Sequence, residues 1–329
     1  MSVTISTPSR LHFGLLRFEQ TDGPSFGGLG MMIAEPRCTL RLATSTEWQA
    51  TGPDAERALA HARQSLEHLV AAGQRPAGAY QQTPQALHIE VLDSIPPHQG
   101  LGSGTQLALA VAAGVRSLYD LAPASAEDLA AMVGRGRRSA IGCHGFLQGG
   151  LLYELGSLPN EPLGRLAQRV EVPAEWRVIL VAASTSAGLS GEPEVSAFGQ
   201  LPPVPAATTA RLAQLAEQSI LPATWNRDLT SFGEALFEYG RLAGECFASV
   251  QGGPYASAEI AACVETLRSL GVRGVGQSSW GPTVFAFAAD EAHADEIVTR
   301  MRAMTAWQGH AMQITRADNR GATIDSAAV

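Results

Sequence analysis

A glycine-rich segment at residues 96–106, with the sequence PPHQGLGSGTQ, places the strongest constraint on the fold of this chain. Residues 87–91 before it alternate between apolar and polar side chains, as in a strand. After it, apolar residues recur at helical spacing, namely Leu107, Val111, Val115 and Leu118. The sequence therefore predicts a strand, a glycine loop and a helix, in that order. Three glycines within five residues let the backbone approach a ligand closely, because no Cβ atom intervenes.

Ser103 and Thr105 stand at the start of the predicted helix, where a helix cap belongs. Free N–H groups and the positive end of the helix dipole favour an anion there, so the expected ligand is a phosphate group. The segment matches neither G-x-x-x-x-G-K-[ST] nor G-x-G-x-x-G. On the loop alone a second interpretation stays open, in which a glycine and serine turn merely caps the helix.

Composition narrows the classes of function. The chain has 329 residues, is 45% hydrophobic, and carries a net charge of −8. We expect a large core arranged as two closely packed domains. The negative charge argues against nucleic acid or an anionic membrane as a partner. All 23 basic residues are arginine, which excludes a Walker lysine, a Schiff-base lysine and a lysine general base.

Cysteines and apolar runs indicate the compartment. The four cysteines lie far apart and form no C-x-x-C pair, so neither a zinc site nor a disulfide framework is indicated. The first residues lack a signal-peptide pattern, and no apolar run approaches the roughly 20 residues of a membrane-spanning helix. We therefore expect a cytoplasmic protein.

The N-terminal residues contain two candidate site segments. Residues 3–15 alternate in polarity around a proline, which predicts two extended segments joined at a bend and carrying Arg10 and His12. A glycine-rich turn follows at residues 22–30, beginning with Asp22. It is interpreted either as a hairpin loop or as a loop at the edge of a substrate site. A helix is predicted over residues 54–72.

An arginine-rich stretch lies at residues 134–150. Guanidinium groups bind phosphate oxygens bidentately, so Arg137, Arg138 and Ser139, together with His144, are candidate anion ligands. Arg135 fits a solvated turn at a helix end. No Asp or Glu lies between Asp128 and Glu154.

The second half of the chain predicts a separate α+β unit. Its strands are expected at residues 178–183, 273–277, 283–289 and 312–314, and its helices near 207–220, 232–248, 258–270 and 291–304. This order suggests a ferredoxin-like sandwich. Asp228 reads as a helix-start residue. The polar turns at 251–253 and 274–282 include Gln251 and a set that suits an aromatic ligand: Gln277, Ser278, Ser279 and Trp280.

These motifs together resemble those of the GHMP superfamily of small-molecule kinases. The likeness rests on PSRLHF at residues 8–13, GLGSGTQ at residues 100–106, and the glycine turn at 274–282. The kinases carry Gly-Ser-Gly-x-Asp where this chain has residues 134–150, and that aspartate is missing here. With RRSAIGCHGF, QGG and QSSWGPT, the chain resembles the β-ribofuranosylaminobenzene 5′-phosphate synthase family of methanopterin biosynthesis.

The resemblance implies a two-domain α+β GHMP-type fold. Residues 1–170 would form an N-terminal domain like domain 2 of ribosomal protein S5, and residues 171–318 a C-terminal ferredoxin-like α/β sandwich. Residues 319–329 would form a flexible tail. The implied reaction joins phosphoribosyl pyrophosphate to 4-aminobenzoate or 4-hydroxybenzoate, and releases pyrophosphate and CO₂. We expect Mg²⁺ as cofactor, with its ligands unknown, and a homodimer.

The resemblance also suggests roles for the candidate residues. The pyrophosphate is expected on Gly100, Leu101, Gly102, Ser103, Gly104, Thr105 and Gln106, with Arg137 and Arg138 as clamps. Ser139, His144 and Gln251 join the substrate site. Arg10 and His12 are expected at the cleft, Asp22 or Asp228 at the metal or the oxocarbenium ion, and Ser278, Ser279 and Trp280 around the aromatic ring.

Two rival functions stay open. One is an ATP-dependent kinase of the same superfamily, which is disfavoured because a hydroxyl nucleophile usually needs a carboxylate base. The other is a ligand sensor without catalysis. It is disfavoured because several polar loops would then keep the composition of a reactive site without carrying out a reaction.

Overall fold

The computed structural model describes residues 2–18, 20, 23–74, 86–184 and 201–327. The first part of the chain contains β1 Ser2–Leu15, β2 Gly28–Ser45, β3 Gln49–Thr51, α1 Ala55–Ala71, β4 Ala86–Asp93, α2 Ser103–Leu118, α3 Ala126–Val133, α4 Ile141–Gln148, β5 Leu151–Glu154 and β6 Leu166–Val170. The second part contains β7 Arg177–Ala182, α5 Ala206–Leu215, a π-helical turn Ala216–Ile220, α6 Leu221–Trp225, α7 Leu229–Glu245, α8 Ala248–Gln251, α9 Ala258–Ser269, β8 Val275–Gln277, β9 Thr283–Ala288, α10 Glu291–Arg302, β10 Met312–Thr315 and β11 Thr323–Ala327.

A seven-stranded sheet is built around the long strand β2. β1 pairs with β2 along most of its length in the antiparallel sense. On its other side, the beginning of β2 pairs with β5 and its end pairs with β4. Helix α2 packs across β1 and β2, where Gly114 lets the side chains of Ile5 and Leu42 approach the helix. The glycine loop that precedes α2 is thereby held at one end of this sheet.

A four-stranded antiparallel sheet with the order β10-β7-β9-β8 forms the second unit. Helices α9 and α10 pack against it, and their apolar side chains form a core with the strands that includes Ile260, Cys263, Leu267 and Ile297. Helix α7 lies between the two sheets, because it contacts both β1 and β8. The α+β fold class is confirmed, and every strand and helix predicted for the second half is present within a few residues.

Two features differ from the sequence-based expectation. Residues 2–15 form one continuous strand, and Pro8 sits at a shift in the β1–β2 register, where its missing N–H is tolerated. The tail was expected to fray, but Thr323–Ala327 pairs with Ser2–Ser6 as β11. The outer edge of β1 would otherwise expose unpaired backbone groups, and β11 satisfies them.

The chain passes from the first sheet to the second between Val170, the last residue of β6, and Arg177, the first residue of β7. This change falls close to the expected end of the first domain. Strand β11 returns to the first sheet from the end of the chain. In the described residues, no helix has the length and apolar character needed to cross a membrane.

Candidate functional site

The glycine loop ends in a left-handed turn. Gly100 and Gly102 have φ angles of 76° and 77°, which L-residues with a Cβ adopt only at a cost. Gly102 is the N-cap of α2 and provides no side chain to bond the first N–H groups. Ser103 and Thr105 therefore lie inside the first turn rather than at the cap. An anion can take the place of the missing cap, with the helix dipole in its favour.

Strand β1 and the turn between β8 and β9 hold the loop in position. The Arg10 N–H donates to the Leu101 carbonyl at 3.0 Å, and Arg10 Nη1 donates to the Gly100 carbonyl at 3.4 Å. From the second unit, Ser278 Oγ donates to the same Gly100 carbonyl at 2.8 Å and accepts the His12 N–H at 3.1 Å. Ser278 is fully buried. Its hydroxyl joins the two halves of the site, which differs from the expected contact with an aromatic ligand.

Three arginine side chains surround the start of α2. A Cβ built on Gly102 would lie 3.5 Å from Arg10 Nε, and one on Gly104 would lie 2.9 Å from Arg57 Nη2 and 3.6 Å from Arg135 Nη2. Arg135 is half-buried, and its burial followed by the charge of Arg57 lowers its pKa. A partly desolvated guanidinium group such as that of Arg135 at a helix N-terminus favours a phosphate. Arg57 is exposed and also forms an ion pair with Asp54 at 2.8 Å.

Sequence reasoning missed Arg57 and assigned Arg135 to a solvated turn. The structure places both beside the loop, whereas the expected clamp residue Arg137 is exposed. Arg138 is partly buried. Arg57 gave no signal in the sequence, because it belongs to α1 and an exposed arginine is ordinary on a surface helix. Arg135 did belong to a recognisable arginine run, but the direction of each side chain depends on tertiary packing.

A buried polar chain lies behind the loop. His12 Nε2 and Ser139 Oγ are 3.1 Å apart, and the Ala140 N–H donates to Glu154 Oε2 at 2.6 Å. Burial, helped by the nearby charge of Arg10, lowers the pKa of His12 to about 3, so its imidazole is neutral. Burial raises the pKa of Glu154 to about 7, although the Ser139 side chain acts in the opposite direction.

Glu154 was not among the expected site residues. A lone glutamate at the end of the buried strand Leu151–Glu154 was the available signal, because an unpaired acid is seldom fully buried. Ser139 was expected to bind substrate, and the structure places its hydroxyl between His12 and the Glu154 segment.

Gln106 is a brace rather than a loop ligand. Its Oε1 accepts from Thr7 Oγ1 at 2.6 Å, and its Nε2 donates to the Gly142 carbonyl at 3.0 Å. The side chain is fully buried. Because both ends of the amide are in use, Gln106 ties α2 to β1 and α4, which differs from its expected pyrophosphate contact.

Three aromatic side chains, Phe18, Phe247 and Trp280, form an aromatic wall near His12. Trp280 packs edge-on against Phe247 with ring centroids 5.0 Å apart, and Phe18 meets Phe247 at 4.8 Å. The exposed Ser279 joins this wall to β1, since its N–H donates to the His12 carbonyl at 3.0 Å. Trp280 is partly exposed, so one of its surfaces is open to a flat ligand.

Three other candidates have local structural contacts. His144 Nε2 is 2.8 Å from the Gly164 carbonyl, and Gln251 Nε2 donates to the carbonyls of Gly244 and Gly253. Asp228 is the exposed N-cap of α7 and accepts from the Ser231 N–H and hydroxyl, which lowers its pKa.

Asp228 lies at the opposite end of α7 from the residues that contact β1. Ala243, near the other end of α7, packs directly against Gly14 beside His12. At 1.5 Å per residue, Asp228 lies about 22 Å along the helix from that contact. The structure gives Asp228 the position of a helix cap, and no contact among the described residues supports its expected role at the metal or the oxocarbenium ion. Asp22 lies outside the described residues.

The described residues contain no cluster of side chains that would by itself bind the expected Mg²⁺. Among the residues that the structure describes, no three His, Cys, Asp or Glu side chains come together as a metal site.

Comparison with known proteins gives the family. The GHMP kinases N terminal domain matches residues 60–150, and the GHMP kinases C terminal domain matches residues 217–306. A β-ribofuranosylphenol 5′-phosphate synthase from Methanothermobacter thermautotrophicus is 29% identical over 87% of this chain and 88% of its own length. The protein of the same name from Archaeoglobus fulgidus is 29% identical over 98% of this chain and 99% of its own.

Solved structures agree on the fold. Homoserine kinase from Cytophaga hutchinsonii superposes with a TM-score of 0.65 at 16% identity, over 98% of this chain and 97% of that one. Mevalonate pyrophosphate decarboxylase from Streptococcus pyogenes gives a TM-score of 0.70 at 10% identity, over 97% of each chain. With both domain matches, the expected loop at the start of α2 and the two-sheet fold in place, this chain belongs to the GHMP kinase superfamily.

Proposed function

We propose that this protein is a β-ribofuranosylphenol 5′-phosphate synthase, which condenses phosphoribosyl pyrophosphate with 4-hydroxybenzoate and releases pyrophosphate and CO₂. The observation that carries the proposal is the similarity to two archaeal synthases over 87% and 98% of the chain. The word phenol in their name favours 4-hydroxybenzoate over 4-aminobenzoate, because the para substituent is retained in the product.

The arginine-lined loop supports the first step of this reaction. The bond between C1 of the ribose and the pyrophosphate oxygen breaks, and its electron pair leaves with the pyrophosphate. The N–H groups at the start of α2, together with Arg10, Arg57 and Arg135, surround the place where that negative charge would collect. Each charge-assisted hydrogen bond there contributes about 1.5–3 kcal/mol.

The aromatic wall supports the second step. A benzoate ring stacked near Trp280 presents the carbon that bears its carboxylate to the cationic C1 of the ribose. A carbon–carbon bond forms, and the electrons of the bond to CO₂ then return to the ring and restore aromaticity. The para oxygen donates electron density to the attacking carbon, so the group that receives its proton matters.

Mg²⁺ and a homodimer belong to the proposal as predictions. The small cation prefers oxygen ligands and often binds with few protein groups, so a diphosphate can bring it to the site. Addition of EDTA should then lower turnover, and sedimentation equilibrium should give twice the mass of the chain.

Phosphorus NMR tests the proposal against an ATP-dependent kinase. The purified protein, phosphoribosyl pyrophosphate, Mg²⁺ and 4-hydroxybenzoate should yield free pyrophosphate and one new phosphomonoester signal without ATP. The same mixture without the benzoate should yield neither within the same time. Formation of ADP from ATP with homoserine or mevalonate, and no reaction of the benzoates, would instead support the kinase.

A further inference from the structure

His12 on β1, the partly buried Ser139 before α4 and Glu154 at the end of β5 lie close together. His12 Nε2 lies 3.1 Å from Ser139 Oγ, and the next residue, Ala140, donates its N–H to Glu154 Oε2 at 2.6 Å. His12 is 5% exposed and Glu154 is fully buried. The second carboxyl oxygen, Glu154 Oε1, has no hydrogen-bond partner in the described part of the protein.

An unsatisfied buried carboxyl oxygen is costly, so its retention calls for a reason. Support of the α4 N-terminus requires only Oε2, since the Ala140 N–H donates to that atom. Oε1 is left as an acceptor, and the Ser139 side chain is near enough to act on the pKa of this carboxyl. The serine hydroxyl rotates in picoseconds to nanoseconds, so it can turn from His12 towards the Glu154 carboxyl, on whose pKa the Ser139 side chain acts.

The proposed reaction provides a use for such an acceptor. When the ring of 4-hydroxybenzoate attacks the ribose, the para oxygen becomes a carbonyl oxygen and its O–H bond must break. After CO₂ leaves, the same oxygen must regain a proton. A proton acceptor that is buried near the site can hold this proton between the two steps without releasing it to solvent.

We infer that Glu154, Ser139 and His12 form a proton relay that removes the proton of the para hydroxyl during ring attack and returns it after decarboxylation. This inference rests on the proposed function. The para O–H proton passes to His12 Nδ1, the His12 Nε2 proton passes to Ser139 Oγ, and the serine proton passes to Glu154 Oε1. His12 gains a proton at Nδ1 and loses one at Nε2, and Ser139 Oγ gains one and gives one up. Glu154 Oε1 gains one proton and holds it until the reverse transfer.

The electrostatics agree with these roles. His12 is neutral, as a relay group must be, because burial keeps its pKa at about 3. Glu154 has a pKa of about 7 and is ionised above that pH. Among the described residues, the other charged or titratable groups that act on its carboxyl are Arg10 on β1, Cys143 on α4 and Tyr239 on α7, and of these Arg10 alone favours the ionised form. In this arrangement His12 is the catalytic residue, and Ser139 and Glu154 act through it.

Substrate acidity separates the relay from a purely structural role. The probes are 4-hydroxybenzoate and 3,5-difluoro-4-hydroxybenzoate, whose fluorines lower the pKa of the phenol so that it is already ionised at pH 8. Glu154→Gln keeps an acceptor for the Ala140 N–H, and Ser139→Ala leaves Glu154 in place. Both variants should lose about 10²-fold in kcat with 4-hydroxybenzoate and less than about threefold with the difluoro compound. Equal losses with both substrates would overturn the relay.

A pH profile gives a second readout. Glu154 accepts a proton only when ionised, so kcat of the wild-type protein should fall as the pH drops through about 7. The Glu154→Gln variant should lack this limb, and Glu154→Asp should restore part of it. A limb that is unchanged in Glu154→Gln would assign it to another group and contradict the inference.

Nitrogen-15 NMR of His12 keeps this test separate from the proposed function. If the wild-type protein turned over neither benzoate, the proposed reaction would be wrong while the hydrogen-bonded chain could still be judged. The His12 nitrogen shifts should then report a neutral ring whose tautomer changes with a midpoint near pH 7, and this change should vanish in Glu154→Gln. Nitrogen shifts that do not change with pH in either protein would show that His12 is not coupled to Glu154 through Ser139.

Discussion

Gly102 is the residue on which the anion site depends most directly. Its φ of 77° is unfavourable for any residue with a Cβ, and the Arg10 side chain lies within van der Waals contact of the place where that Cβ would be. Gly102→Ala should therefore lose about 1–2 kcal/mol of stability from strain and also weaken binding of phosphoribosyl pyrophosphate. Titration calorimetry measures the second effect.

Gly271 provides the matched control for this substitution. Its φ is 93° and a Cβ there would meet nothing within 4 Å. Gly271→Ala should show a similar fall in thermal stability with unchanged affinity. Equal affinities in Gly102→Ala and Gly271→Ala would mean that the loop does not bind the anion.

Arg135 and Arg137 offer a second contrast at this scale. Arg135 lies beside Gly104 and is half-buried, whereas Arg137 is exposed. Loss of a charged hydrogen bond costs about 1.5–3 kcal/mol, so Arg135→Ala should raise the dissociation constant of phosphoribosyl pyrophosphate by about 10- to 100-fold. Arg137→Ala should leave it within about twofold. This order reverses the expectation from sequence, and a larger effect at Arg137 would restore that expectation.

At the scale of elements, the turn between β8 and β9 is coupled to the glycine loop through Ser278. Ser278→Ala leaves the Gly100 carbonyl and the His12 N–H without their side-chain partner in a buried place. The expected cost is about 1–3 kcal/mol of stability, with weaker binding of phosphoribosyl pyrophosphate because the loop loses a support. Denaturant unfolding and calorimetry check the two effects.

Ser279 is the control for that substitution, since it is exposed and contributes its backbone N–H rather than its side chain. Ser279→Ala should change stability by less than about 0.5 kcal/mol. If Ser278→Ala behaved like Ser279→Ala, the hydrogen bonds of Ser278 would not be what holds the two elements together.

The sequence predicted most elements because their signals are local. Polarity alternation predicted β4, helical spacing predicted α1 and α2, and glycine spacing predicted the loop between β4 and α2. The pairing of β11 with β1 could not be predicted, since an edge strand of small polar residues looks like a frayed tail until its partner is known. Arg57 and Glu154 were missed for the same reason, because contacts between distant segments bring each of them to the site.

At the scale of the whole molecule, the two sheets meet at the proposed site. The first supplies the glycine loop, Arg10, His12 and Phe18 of the aromatic wall, and the second supplies Ser278 and Trp280. An anion site and a ring surface that come from different units suit a reaction that joins a ribose phosphate to a benzoate. The overall fold does not decide between a synthase and a kinase, because structures of both kinases and decarboxylases share it.

Release of labelled CO₂ shows directly whether the protein is a decarboxylating synthase or a kinase. Purified protein is incubated with Mg²⁺, phosphoribosyl pyrophosphate and 4-hydroxybenzoate labelled at the carboxyl carbon, without ATP, and CO₂ and pyrophosphate are both measured. We expect equal amounts of the two products, and a far slower reaction with benzoate that lacks the para hydroxyl, because that group supplies electron density to the attacking carbon. Retention of the label in both 4-hydroxybenzoate and 4-aminobenzoate, together with ATP-dependent phosphorylation of an alcohol such as homoserine, would contradict it.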